Sequence, residues 1–487
     1  MAVLKCGRRQ FDLNLITVEP VLFLYMIGSF LTYPTFQAFV FDKICIGSYN
    51  DTFCSNLQNK TFQDDHKTEE DFVQSQTSHW ILKKNVVELV ISCFMVVFIL
   101  GPWGDRFSRK PPVIVPCCGA MLASITYLIM SIFPSIKKEY MYIGFALNGL
   151  SGAYTALLMS VYSYVTHIAD PSTKTMRVGI LESMSFLAGT VGVFISGVML
   201  DNTSFIFVFA FISGSFFLGM LYAIIRLENI TANTIPEGEG VCACWFLASI
   251  KESARCVMKK RQEKRTRYIV LLLVVFIVLN LGTSCEIDVL FLYTRRAPLS
   301  WSSTMFGYYK GLENFTRSII LVTVLPLCRK MRDTTLGLWG LASKIIGLVI
   351  IGVSQWTWLL FLVAIFAMFQ GFPAAVVRSL LSSMVSQAEQ GRLFGVVAAV
   401  ESIGSLLASL LFNELYPVSL SFFPGFSFLL AAGICVIGAA IMLWLHFELP
   451  TMVYCDIQQE ETEETSPTDN TTINKGDLQT DQVVAHM

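Results

Sequence analysis

The chain has 487 residues, of which 54% are apolar and 15% charged, and its formal net charge is −1. With a mean hydropathy of +0.59, it carries too little charge to cover the surface of a soluble domain of this size. A balance this close to zero says nothing by itself about partners; the hydropathy makes the lipid bilayer the expected surroundings, with no nucleic acid partner expected.

Apolar runs of about 18 to 25 residues, the length that crosses some 30 Å of hydrocarbon, recur along the chain. In order, spans are expected at 16–40, 81–103, 113–133, 140–167, 178–200 and 205–225. A second set is expected at 268–293, 306–327, 335–353, 358–384, 393–415 and 426–446. The expected fold class is therefore an all-α membrane protein of twelve transmembrane helices, in two six-helix bundles at 16–225 and 268–446. The first run is too long for a cleavable signal peptide, carries Glu19 and lacks a small-residue cleavage site. Lys5, Arg8, Arg9, Arg106, Arg109, Lys110, Lys174, Arg177, Arg329, Lys330 and Arg332 fall on one side if the spans alternate. The positive-inside rule makes that side the cytosol and places both termini there.

Residues 1–15 are thus a cytosolic N-terminus, 226–267 a cytosolic central loop, and 447–487 a polar, acidic cytosolic tail expected to be disordered. Within the tail, Tyr454-Cys-Asp-Ile457 fits a tyrosine-based endocytic or lysosomal sorting pattern. The outer loop between the first two spans holds Cys45 and Cys54, which are either disulfide-bonded or two free thiols. It also holds glycosylation acceptors at Asn50 and Asn59. Glu88, one turn from Lys84 in the second span, reads as a structural ion pair.

The sharpest local signal follows the second span: Gly101-Pro-Trp-Gly-Asp105-Arg106-Phe-Ser-Arg109-Lys110. It resembles the cytosolic loop motif of the major facilitator superfamily, although Ser108 stands where that family usually has Gly. The resemblance implies a major facilitator fold and a gating role for Gly101, Asp105, Arg106, Arg109 and Lys110. An Asp held by neighbouring Arg residues can also pair with a helix end of the opposite bundle and latch one conformation.

Charges inside spans are costly unless they face a cavity or a partner, so they point to function. They are Glu182 in span five, Glu286 and Asp288 in span seven, Lys310, Glu313 and Arg317 in span eight, Arg378 in span ten and Glu401 in span eleven. Lys310, Glu313 and Arg317 share one helical face, so an intrahelical ion pair accounts for them. Desolvation would let Glu182 load a proton from an acidic compartment; its alternative is a structural pair with Arg177. The guanidinium of Arg378 suits a carboxylate or sulfate; its alternative is an internal partner for a buried acid.

A narrower resemblance rests on Val18-Glu19-Pro20, Ser78-His79-Trp80, Arg378-Ser379, Glu389-Gln390-Gly391, Phe412-Asn413-Glu414-Leu415-Tyr416-Pro417 and Pro424-Gly425-Phe426, in that order. Together these resemble the proton-coupled folate transporter family, solute carrier family 46, which also includes a lysosomal carrier of steroid conjugates. The resemblance implies proton coupling at Glu182 and a substrate or proton role for Arg378, and Glu401 is more like the lysosomal member. Glu286 and Asp288 are taken as further coupling carboxyls, and Arg378 with Glu401 as the anion site. Ala153 stands where folate carriers have an Asp, Thr283 near their His, and Ser300 before Trp301 where they have a Cys.

The expected function is a proton-coupled symporter of small organic anions such as steroid conjugates, bile acids or muramyl peptides, driven by a proton gradient. Folate or antifolate symport is the alternative, and a non-transporting scaffold or receptor is the alternative of another class. The membrane is lysosomal, endosomal or plasma. No enzyme constellation, cofactor or metal site is expected, because the five histidines lie outside spans or at their ends and the cysteines lack metal spacing.

Overall fold

A backbone in hydrocarbon has no water to bond with, so each span must close its hydrogen bonds internally. The computed structural model describes residues 3–6, 9–12, 17–57, 59–168, 174–229, 265–328, 331–385 and 387–449. Apart from a short antiparallel hairpin of β1 (Val3–Cys6) and β2 (Arg9–Asp12), the described elements are helical. Residues 1–446 pack as one unit and 447–487 as a second, described only at 447–449. Tyr454, Ile457 and nearly all of the 226–267 loop therefore lie outside the described residues, as do the side chains of Asp105, Arg106 and Arg177.

The first half runs through α1 (Glu19–Ser48), α2 (Asp51–Asn56), α3 (Lys60–Asp65), α4 (Lys67–Met95) and α5 (Gly101–Arg106). It continues through α6 (Pro111–Ile132), α7 (Met141–Leu150), α8 (Ala153–Ile168), α9 (Lys174–Asn202) and α10 (Phe205–Arg226). The second half comprises α11 (Arg265–Arg295), α12 (Ser303–Leu327), α13 (Asp333–Val353), α14 (Thr357–Phe366), α15 (Phe372–Ser383), α16 (Gln387–Ser419) and α17 (Phe426–Glu448). Eight described helices are long and apolar enough to cross a membrane: α1, α6, most of α9, α10, α11, α13, most of α16 and α17.

The four remaining crossings fall short for identifiable reasons. The second span passes from α4 through a π turn at Val96–Leu100 into α5; Pro102, lacking an N–H, sits in the first turn of α5, where a helix readily changes its bonding register. The fourth breaks between α7 and α8 at Gly152, whose φ is +82°. There a side chain would strain the backbone, and a Cβ would also stand 2.5 Å from that of Ala156. The tenth breaks between α14 and α15, where Pro373 restarts the helix in its first turn. The eighth, α12, is unbroken but carries Lys310, Glu313 and Arg317. With the broken helices taken as single crossings, twelve spans result.

The second span departs furthest from the sequence expectation. α4 starts at Lys67 rather than near 81, and α2 and α3 fill most of the loop before it. That loop is helical because it caps the molecule: Leu57 and Gln63 are buried in it, and Cys45 is disulfide-bonded to Cys54 with a Cα–Cα distance of 5.9 Å.

On this disulfide-bearing face the halves are joined by polar bonds. Arg295 pairs with Asp42 at 3.2 Å and Arg296 with Asp71 at 2.5 Å. Ser300 donates to Gln63 at 2.6 Å, Tyr416 to Gln74 at 2.7 Å, and Ser78 to the backbone carbonyl of Asn413 at 3.0 Å. α9 and α12 cross where two glycines meet: a Cβ on Gly197 would stand 3.0 Å from the Cα of Gly307. Small residues of this kind let membrane helices approach to backbone contact.

Candidate functional site

Three polar groups lie in the interior formed by these helices. The first centres on Arg378, in the second turn of α15. Its Nη1 donates to Glu182 Oε1 of α9 at 2.7 Å, and its Nη2 to Glu401 Oε2 of α16 at 3.3 Å. The guanidinium also stands 5.3 Å from the ring centre of Phe276. Glu182 belongs to the first half and Arg378 to the second, so this pair ties them together. One cation faces two carboxylates here, a deficit of one positive charge.

The second group is Asp288, whose carboxylate accepts from Asn85 of α4 at 3.0 and 3.1 Å and from Asn413 of α16 at 2.7 Å. Among the described residues no cation lies within ion-pairing distance of it. Glu286 is two residues away, about 200° round the helix, and so faces elsewhere.

Glu286 enters the third group, confined to the second half. It accepts from Lys310 of α12 at 3.0 Å and from Lys344 of α13 at 3.2 Å. Lys344 also donates to the hydroxyl of Thr283 at 3.1 Å. Glu313 in turn accepts from Lys310 at 2.8 Å, from Gln370 at 2.6 Å and from Arg317. Thus Lys310, Glu313 and Arg317 do pair along their own helix, but they also reach α11 and, through Glu286, α13. Glu88 pairs with Lys84 at 3.2 Å and accepts from Asn148 at 2.8 Å, a local arrangement inside the first half.

Outside the spans, at the disulfide-bearing end of α4, Glu70 is 1% exposed. Burial pushes its carboxyl up to about 7, partly countered by nearby Arg296. Burial likewise raises neighbouring Asp71, again opposed by Arg296.

At the opposite face, the loop motif places Gly101 at the start of α5. Arg109 Nη1 donates to the carbonyl and hydroxyl of Ser163 in α8. Lys110 donates at 2.7 Å to the carbonyl of Ile224, in the last turn of α10, where a cation suits the negative helix end. Both of these contacts stay within the first half. Asn50 and Asn59 are both exposed and each precedes a short helix; Asn59 Oδ1 accepts from the hydroxyl of Thr61, the other polar residue of its acceptor sequence.

Sequence reasoning passed over Lys344, although a lone lysine inside an apolar run is a detectable signal. It also missed the pairing roles of Asn85, Asn413 and Gln370, for which no signal existed. A single amide in a span looks the same whether it serves a carboxylate or lipid-facing backbone.

The sequence model of the Major Facilitator Superfamily matches residues 20–329. The lysosomal proton-coupled steroid conjugate and bile acid symporter of Gallus gallus is 28% identical over 444 residues, covering 89% of this chain and 94% of that one. The proton-coupled folate transporter of Rattus norvegicus is 29% identical over 435 residues, covering 87% and 91%. Among solved structures, the human organic anion transporter superposes with a TM-score of 0.61 at 15% identity, covering 87% of this chain and 98% of that one. A peptide transporter in complex with sulfate gives 0.60 at 13%, covering 91% and 96%. At such identities the structures speak for the fold alone.

Proposed function

Since the chain belongs to the major facilitator superfamily, we propose that it is a proton-coupled symporter that carries small organic anions across a lysosomal, endosomal or plasma membrane toward the cytosol. The observation that carries this reading is Arg378 held between Glu182 of the first half and Glu401 of the second. Two carboxylates on one guanidinium leave a buried negative charge, which a single proton removes. A proton on Glu182 takes away the ionic part of the one ion pair that, among the described residues, joins the halves in the interior, and leaves Arg378 matched by Glu401. Proton binding and relative movement of the halves are then the same event. Asp288, held by amides from both halves, is a second proton site nearer the disulfide-bearing face.

Of the two relatives' substrate classes, we favour amphipathic conjugates over folates, because Ala153 occupies the position where folate carriers resemble one another in having an Asp. Asp105, with Arg106, Arg109 and Lys110, serves the gate at the cytosolic face.

The test is uptake by cells carrying the protein at their surface, at pH 5.5 and 7.4, with a sulfated steroid and with a folate. Acid-stimulated accumulation of the sulfated steroid is expected. Glu182→Gln should abolish the pH dependence and Arg378→Gln the uptake, both at normal surface abundance. Uptake that stays acid-stimulated in both variants would sink the coupling scheme, and no uptake of either solute by the wild type would favour a scaffold that kept the fold.

A further inference from the structure

We propose that the buried charge chain of the second half is a binding site for one anionic group of the carried solute, a carboxylate or sulfate ester, which docks at its Arg317 end. The proposal rests on the anion-transport reading above and names the site within it.

The five groups alternate in sign along a line: Lys344, Glu286, Lys310, Glu313, Arg317. Both ends are cations, so three positive charges face two negative ones. A surplus charge in a membrane interior is unfavourable until a counter-charge arrives. The group around Arg378 has the opposite imbalance. Arg378, already flanked by two carboxylates, calls for a proton, whereas the Lys344-to-Arg317 chain calls for an anion.

The Arg317 end is where an anion can be received. Arg317 Nε and Asn314 Nδ2 are buried with no hydrogen-bond partner among the described residues. Asn314 is 2% exposed, and it lies one turn from Arg317 on the same face of α12. Unmet buried donors of this kind are costly unless something accepts from them. Both residues face the other half: the Arg317 guanidinium stands 5.6 Å from the ring centre of Phe186. A Cβ on Gly189 would stand 3.1 Å from Asn314 Nδ2. The chain therefore ends on the seam between the halves rather than in lipid. Phe186 lies one turn along α9 from Glu182, about 6 Å of helix. The proton-taking and anion-taking groups are thus consecutive along one helix, and one proton with one monoanion neutralises both.

The experiment uses the purified full-length protein, with thermal stabilisation by a sulfated steroid and by its uncharged parent as the binding readout, alongside uptake kinetics. Wild type should be stabilised by the sulfated compound and not by the parent. Lys344→Met balances the chain at two and two and should weaken binding at least tenfold. Adding Glu286→Gln restores a surplus of one cation and should bring binding back to within about threefold of wild type, a rescue that a purely structural role does not predict. Arg317→Gln should lose binding and raise KM more than it lowers kcat. Should Lys344→Met destabilise the fold, the double variant, which keeps Lys310, Glu313 and Arg317 paired, carries the test. Unchanged affinity in both Lys344→Met and Arg317→Gln overturns the proposal, as does equal stabilisation by the uncharged parent. Binding that follows the charge pattern without any uptake would leave the site standing and remove the transport reading instead.

Discussion

The buried carboxyl of Glu70 makes closure of the disulfide-bearing face sensitive to pH, and the sign can be worked out. In the closed face Glu70 is buried, accepts from Gln74 at 3.1 Å and titrates at about 7. When the face opens and water reaches it, the carboxyl should return to its ordinary value near 4.5. A carboxyl whose pKa is raised in the closed state binds its proton more tightly there. Its contribution to closure is fully present below about 4.5 and is lost as pH rises through about 7. The difference of about 2.5 pKa units corresponds to about 3 kcal/mol at full swing. Between pH 7.5 and 5.5 it should shift the closed-to-open ratio about twentyfold toward closed. Asp71, also raised by burial, pushes the same way. The Tyr416–Gln74, Ser300–Gln63 and Ser78–Asn413 bonds between the halves involve no carboxylate.

Ser78→Cys, buried against Asn413 in the closed face, reports opening by its rate of modification with a membrane-impermeant thiol reagent. Comparison with the same cysteine in a Glu70→Gln background at each pH cancels the change in thiolate fraction. The labelling ratio should fall about twentyfold from pH 7.5 to 5.5. An unchanged ratio, or faster labelling in acid, would refute the reasoning.

Gly197→Val should drive its side chain into the backbone of Ser303 and Gly307, lowering stability by about 1–3 kcal/mol through overpacking; a fall in Tm measures it, with Gly214→Ala, which has open space around it, as the neutral control. Asp288→Asn keeps the shape but removes the carboxylate held by Asn85 and Asn413, so acid-stimulated uptake should fall while the folded amount is retained, as assayed by uptake against surface labelling. Cys45→Ser opens a short disulfide loop and should destabilise the cap on that face by about 2–3 kcal/mol, seen as faster proteolysis of 46–66. Asn59→Gln with Asn50→Gln should abolish the glycosidase-sensitive mass shift expected of the wild-type protein, whereas a wild type with no such shift would refute the glycosylation assignment.

Length and local spacing were enough for the sequence by itself to determine the spans. Apolar runs of this length read as membrane crossings, because hydrocarbon thickness fixes how many consecutive residues must be predominantly apolar, and eight of the described helices meet that measure outright. Likewise, a charged residue inside such a run had to have a reason, which is why Glu182, Glu286, Asp288, Arg378 and Glu401 could be named without coordinates. The loop motif from Gly101 to Lys110 was legible because its spacing lies within one stretch of chain. Partnership was not legible, because it depends on which residues meet across hundreds of positions. Arg378 was expected to receive an anion or to partner a buried acid, and the tertiary structure places it between Glu182 from 196 residues earlier and Glu401 from 23 later. Glu286 and Asp288, close in sequence and alike in type, are sent by helical rotation to a cluster of cations and to a pair of amides. Lys344 acquires meaning only through the carboxylate it reaches. Spans are decided by the solvent each residue meets, which composition encodes; charge balance is decided by packing, which only the folded chain displays.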